Sequence, residues 1–220
     1  MRTYISPIGY DTRRVTRPVV NTGLSGGDTV RLLRPEQDSD TEQASQAVAD
    51  VRQLLQEIEP EANCVVKRIT TDSFEETVRN CCDIFAAVPE DDEIIVSLGG
   101  GARDILLPLT VSALVFSRQI DQALFFSDLD SEIREWPLPA LTAQVPQRTT
   151  ESFKTIVRAG EWVSLSSIAE ETDQSKSTVI RHVNDLEATG VVESDTSEKV
   201  KQVRPSFTGE LFQLAHGPDV

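Results

Sequence analysis

The sequence predicts an α/β fold, with a parallel-dominated sheet covered by helices and a smaller, mostly helical domain behind it. Three observations predict this. Short apolar runs alternate with segments of helical apolar spacing through about residue 128. A proline-bearing stretch, Trp136-Pro137-Leu138-Pro139 with Pro146, then breaks the alternation. Beyond it come short helical patterns, a glycine stop and two short β-prone runs.

Thr3 to Ile8 reads as the first strand, with the turn-like Gly9-Tyr10-Asp11 behind it. Val15 to Asn21 predicts a short helix and Thr29 to Leu33 the second strand. From Thr41 to Ile58, apolar residues recur at helical spacing, at Ala44, Ala47, Val48, Val51, Leu54, Leu55 and Ile58. Cys64 to Ile69 is the third strand. Asp72 or Ser73 caps the next helix, with Glu76 placed for a capping box, and Phe74, Val78, Cys81 or Cys82 and Phe85 form its inner face. Ile94 to Val96 is the fourth strand. Three glycines, a helix from Ala102 to about Ser117 and a fifth strand, Gln122 to Phe126, follow.

Residues 129–146 read as a linker between a domain at 1–128 and another at 147–220. In the second domain Glu151 to Ala159 is helical, and a second helix starts near Ser164, capped by it or by Ser166. Asp173-Gln174-Ser175 is a polar turn, and Lys176 to Thr189 is a third helix that Gly190 stops. Val191 to Ser194 and Val200 to Val203 predict a hairpin, and a last helix runs from about Gly209 to Ala215.

Charge narrows the function classes. The net charge is −15, and only five of the 21 basic residues are lysine. An acidic, lysine-poor surface suits a high-salt cytoplasm. Residues 1–145 hold 13 basic and 24 acidic side chains, while residues 146–220 hold 8 and 12. Acidity ordinarily argues against nucleic-acid partners, but at high salt phosphate attraction is already screened. Cys64, Cys81 and Cys82 form no C-x-x-C and lie far from His182 and His216, so no metal is expected and a reducing cytoplasm is. The chain opens directly on a strand-like run, with no signal peptide expected. Its longest apolar stretch, near Ile105 to Phe116, contains Pro108 and is too short to span a bilayer.

The richest segment is Ser97-Leu98-Gly99-Gly100-Gly101-Ala102-Arg103, between a buried strand and a helix start. Glycine permits close backbone approach, free N–H groups at a helix start attract anions, and arginine offers a planar fork of donors. A tight turn with no ligand uses the same glycines. Three of them with Arg103, in a sheet whose first loop carries Arg13 and Arg14, favour an anion or nucleotide site. A nicotinamide-binding fingerprint belongs after the first strand, where Gly9-Tyr10-Asp11-Thr12-Arg13-Arg14 does not match it, and no Gly-Lys-Ser/Thr makes a P-loop.

The C-terminal order of two helices, a short turn, a glycine stop and a hairpin is the winged helix-turn-helix plan. Its second helix enters the DNA major groove through N-terminal residues, here Ser175, Lys176, Ser177, Thr178, Arg181 and His182. Lys199, Lys201 and Arg204 fall on or beside the wing, suited to phosphates of double-stranded DNA. The competing reading is a small interaction domain, given the acidic Glu170, Glu171, Asp173 and Asp185 around it.

Together these segments resemble the CRISPR-associated CARF-domain winged helix-turn-helix regulators of archaea and their haloarchaeal relatives. The resemblance spans nearly the whole chain. It implies a Rossmann-like CARF domain that dimerises and binds a cyclic oligoadenylate, such as cyclic tetra-adenylate, across a two-fold axis. Carried over by position, the ligand segments are Ser6, Pro7, Gly9, Tyr10, Asp11, Thr12, Arg13 and Arg14, and then Ser97, Leu98, Gly99, Gly100, Gly101, Ala102 and Arg103. Against the family pattern N-x-T-G-G-T-(K/R), Gly100, Gly101 and Arg103 match, whereas Ser97, Gly99 and Ala102 replace the Asn and the two Thr. The lost hydroxyls remove ligand-facing donors. The resemblance implies a non-catalytic cytoplasmic regulator that binds a nucleotide second messenger; a metal-independent ring nuclease and a dimeric interaction protein without DNA are its rivals.

Overall fold

The computed structural model describes residues 1–36, 42–127, 129–197 and 200–217. They form two compact units, Met1–Leu138 and Pro139–Val220.

The first unit is a six-stranded sheet. Its strands are β1 (Arg2–Pro7), β2 (Thr29–Pro35), β3 (Asn63–Ile69), β4 (Glu93–Ser97), β5 (Gln122–Phe126) and β6 (Ile133–Glu135), in the spatial order β3-β2-β1-β4-β5-β6. β1 to β5 pair in parallel and β6 pairs antiparallel with β5. The helices are α1 (Arg13–Thr22), α2 (Glu42–Ile58), α3 (Phe74–Ala86) and α4 (Arg103–Val115).

Strand side chains alternate between two cores, as a doubly covered sheet requires. Tyr4, Leu32 and Ile95 pack with Val15 and Val19 of α1 and with Val48, Val51 and Leu55 of α2. Ile5, Leu33, Ile94 and Val96 pack with Cys81 and Phe85 of α3 and with Ile105 and Leu109 of α4. Burying each large aliphatic or aromatic side chain contributes about 1.5–3 kcal/mol. Burial pushes the Cys81 thiol up to about 12, as befits a core residue.

Ser73 is the cap of α3, its side chain accepting from the Glu76 N–H. Phe74 is not on the inner face: it occupies the first turn and is 56% exposed, and Ile84 takes an inward place instead. The start of the second helix pattern at Thr41 lies outside the described residues, and so does Lys199. The stretch read as linker contributes β6, whose pairing with β5 places Trp136 in a stack on Phe125, ring centroids 4.3 Å apart.

The second unit holds α5 (Thr150–Ala159) after a single 3₁₀ turn (Gln147–Thr149), β7 (Val163–Ser164), α6 (Leu165–Thr172), α7 (Lys176–Thr189), β8 (Val192–Asp195), β9 (Gln202–Pro205) and α8 (Phe207–His216). Its small antiparallel sheet runs β7-β9-β8. Phe153, Ile156, Ile168, Val179, Val183, Leu186 and Val203 close one core. The α6 cap is Ser164, accepting from Ser167 N–H, and Gly190 ends α7 at φ +77°. β7 and the start of α8 at Phe207 escape a reading by pattern, because β7 is two residues long and Gly209 disguises the first turn of α8. Among the described residues no helix is long and apolar enough to cross a membrane.

Candidate functional site

The strand order reverses between β1 and β4, so their connections diverge to opposite faces and leave a crevice at the carboxyl ends of both strands. A cavity of about 890 Å³ lies there. Gly9, Tyr10, Asp11 and Arg14 line it from the β1 side, and Leu98, Gly99, Gly100, Gly101, Ala102 and Arg103 from the β4 side. The sequence therefore places two distant segments in one site.

The two turns are locked together. Arg14 Nη1 donates to the Gly99 carbonyl at 2.5 Å, and Ser97 Oγ donates to the Arg14 carbonyl at 3.2 Å. Gly101 has φ +84°, and a Cβ there would lie 2.6 Å from Pro7 Cβ. The glycine run is thus a packing device as well as one wall of the cavity.

Asp11 organises the first turn. It accepts from the Arg13 N–H at 3.2 Å and from Arg13 Nε and Nη2 at 2.9 and 3.1 Å, and Arg14 Nε lies 3.5 Å away. The Arg13 hydrogen bonds hold the Asp11 carboxyl below the usual carboxylate range. Arg13 itself is exposed and borders a different depression, with Thr16 and Arg17. Ser6, Pro7, Thr12 and Ser97 also stand outside the cavity lining. Ser6 is buried, with its hydroxyl on the Pro7 carbonyl at 3.2 Å.

Arg103 is different. It is exposed, opens α4, and its guanidinium has no hydrogen bond or ion pair among the described residues. Ala102 supplies no side-chain cap, so the first N–H groups of α4 have no such partner. A free guanidinium beside an uncapped helix start is an arrangement that receives an anion.

Sequence reasoning missed Arg34, Thr71 and Phe125, which extend the lining. Arg34 is 4% exposed at the end of β2, Thr71 follows β3, and Phe125 is in β5. The strand-end rule that selected the first and fourth loops applies equally to these. Among the described residues no three His, Cys, Asp or Glu side chains converge as a metal site requires.

In the second unit, α6 and α7 meet at a turn in which Asp173 takes φ +53°. Ser175 caps α7: its Oγ accepts from the Thr178 N–H at 3.2 Å and lies 2.9 and 2.8 Å from the hydroxyls of Ser177 and Thr178. Lys176, Ser177 and Arg181 are exposed on this helix. His182 does not join them at the surface. It is buried, its Nδ1 2.9 Å from Ser152 Oγ, and burial pulls its imidazole below the ordinary histidine range. A helical period of 3.6 turns position 182 inward with Val179, Val183 and Leu186.

Carboxylates occupy most cations of this unit. Arg148 pairs with Asp185, Lys154 with Glu151, Arg158 with Glu171, Lys201 with Glu187 and Arg204 with Glu193. Arg204 also lies over the Trp162 ring, 4.6 Å from its centroid. Lys176 and Arg181, both on α7, have no ion pair among the described residues.

The chain thus joins a Rossmann-like domain that carries a switch-point cavity to a helix-turn-helix domain. Residues 2–134 match the Csa3 CRISPR-associated Rossmann-like domain, and residues 153–196 match the IclR helix-turn-helix domain. The chain belongs to the Csa3 family, and its first unit is accordingly a CARF domain. Among solved structures it is similar to Enterococcus italicus Csm6 bound to cyclic hexa-2'-fluoro-hexa-dAMP, at 9% identity and TM-score 0.46, covering 86% of this chain and 52% of that one. It is also similar to protein VC1899 from Vibrio cholerae, at 10% identity and TM-score 0.43, covering 98% and 64%. The chain thus spans between half and two thirds of the length of these two proteins. No curated protein sequence matches it.

Proposed function

We propose that this regulator acts as a homodimer whose DNA affinity is set by a cyclic oligoadenylate, or a similar nucleotide second messenger, bound at the β1–β4 cavity. The observation that carries the reading is the selective freedom of its cations. In an acidic chain whose C-terminal cations are mostly paired, Lys176 and Arg181 on α7 and Arg103 at the cavity have no ion pair among the described residues. Arg103 and the uncapped start of α4 supply donors for phosphate; Lys176 and Arg181 supply them for the DNA backbone. A ligand shifts DNA affinity only through differential binding to two arrangements of the dimer.

The role is sensing rather than cleavage. Asp11, held ionised by its arginines, is a weak proton carrier, and both histidines of the chain lie outside the first unit. The acidic, lysine-poor composition supports a salt-rich cytoplasm as its setting.

Titration of cyclic tetra-adenylate into the purified protein at high salt tests this reading. The wild type binds and its affinity for duplex DNA changes, whereas Arg103→Ala weakens the ligand about tenfold. Absence of binding at micromolar ligand refutes the effector. Cleavage of labelled ligand by the wild type refutes the purely sensing role.

A further inference from the structure

The outward face of α7 contains two residues to which nothing above gives a role. Val179, His182, Val183 and Leu186 point into the core, so successive turns present Ser177, then Ile180 and Arg181, then Asn184 to solvent. Ile180 is a branched apolar side chain 41% exposed in the middle of that face. The hydroxyls of Ser175, Ser177 and Thr178 are engaged with one another and with the helix cap. His182 is buried. The side chains left to read base edges beyond the first turn are therefore Ile180, Arg181 and Asn184.

We propose that Ile180 and Asn184 set the base sequence this regulator reads, Ile180 packing on a thymine C5-methyl and Asn184 bonding N6 and N7 of an adenine in the same half-site. The inference rests on the DNA-binding reading of α7 and adds to it the bases preferred. The major groove exposes the thymine methyl as its one apolar feature, and an isoleucine presented to the groove gains by covering it. The Asn184 amide offers one donor and one acceptor, the complement of the adenine N7 and N6 edge; a different base leaves one of them desolvated and unpaired. Four residues of helix rise about 6 Å, so the two contacts fall about two base-pair steps apart. Arg181 lies on the same face and is suited to a phosphate or a guanine between them.

The test selects binding sites for the full-length protein from a randomised duplex pool, with and without cyclic tetra-adenylate, and then alters single atoms of the selected site. Uracil in place of the contacted thymine weakens the wild type about fourfold and leaves Ile180→Ala indifferent. Replacing the contacted adenine with 7-deazaadenine weakens the wild type about tenfold and leaves Asn184→Ala indifferent. Both residues are exposed, and circular dichroism checks that the variants fold. A selected site whose binding ignores both changes, or whose sensitivity persists in both variants, overturns the inference while DNA binding stands. Failure of the wild type to retain any duplex overturns the DNA-binding reading, and the inference falls with it.

Discussion

Arg14 reaches from the first turn of α1 to the carbonyl of Gly99, 85 positions away in sequence, and donates to it at 2.5 Å. Ser97 returns a bond to the Arg14 carbonyl at 3.2 Å. These contacts divide the work of the arginines near the cavity. Arg14 fixes the spacing of the two turns, Arg13 neutralises Asp11, and Arg103 stands exposed at the cavity. Gly100 serves the same tie, because a Cβ there would sit 2.7 Å from Arg14 Cδ.

Arg14→Ala removes this tie and leaves the Gly99 carbonyl without its charged donor. Hydrogen bonds to charged groups contribute about 1.5–3 kcal/mol, so thermal unfolding of the first unit shifts to lower temperature. Ligand affinity falls with it, since the turns are no longer held at one spacing. An unchanged midpoint in differential scanning calorimetry shows that the bond contributes nothing to stability.

Gly101 and Gly190 separate two reasons for glycine. Both have positive φ, +84° and +77°. A Cβ at Gly101 strikes Pro7 Cβ at 2.6 Å, whereas one at Gly190 meets nothing within 4 Å. Gly190→Ala therefore costs only the left-handed conformation, about 1–2 kcal/mol. Gly101→Ala adds a clash with β1 and destabilises more, and it weakens ligand binding because the turn must move. Chemical denaturation of both variants ranks them; equal losses refute the steric argument.

The alternation of strands and helices was legible because each strand is short, apolar and bounded by turn residues. The position of the glycine run after the fourth strand was legible for the same reason. The side-chain pairings were not. Nothing in the spacing of Asp11 and Arg13 distinguishes an ion pair that closes a turn from an arginine waiting for phosphate. The inward turn of His182 was present in the period of Val179, Val183 and Leu186, but a histidine near a recognition helix draws a functional reading first. Arg34 was hidden by its strand, since a charged residue 4% exposed at the end of β2 reads from sequence as a solvent-facing position.

His182 makes the second unit pH-sensitive in a defined direction. Its folded-state affinity for protons is depressed by burial, so below about pH 6.5 the unfolded chain binds a proton that the folded one does not. Its contribution is complete above that value and is lost as pH falls from it toward the lower folded-state value. His182→Gln flattens this part of the stability profile. Guanidinium melts of the wild type and variant at several pH values between 5 and 8 check it, and parallel profiles for the two proteins contradict it.

On the DNA-binding reading, Glu187 of α7 and Glu193 of β8 hold DNA affinity down. Glu187 pairs with Lys201 at 2.8 Å and Glu193 with Arg204 at 2.5 Å, so a phosphate approaching either cation competes with a carboxylate already in place. Neutralising the carboxylates without changing their shape leaves both cations available. The Glu187→Gln, Glu193→Gln double variant therefore binds non-specific duplex more tightly, and its log–log salt dependence steepens by about 0.9 for each cation that engages a phosphate. Lys176→Ala does the reverse, reducing the slope by about one unit. Fluorescence anisotropy across a salt series measures both slopes. If the double variant keeps the wild-type slope while Lys176→Ala lowers it, the wing cations contact no phosphate, and α7 alone supplies the electrostatic component of binding.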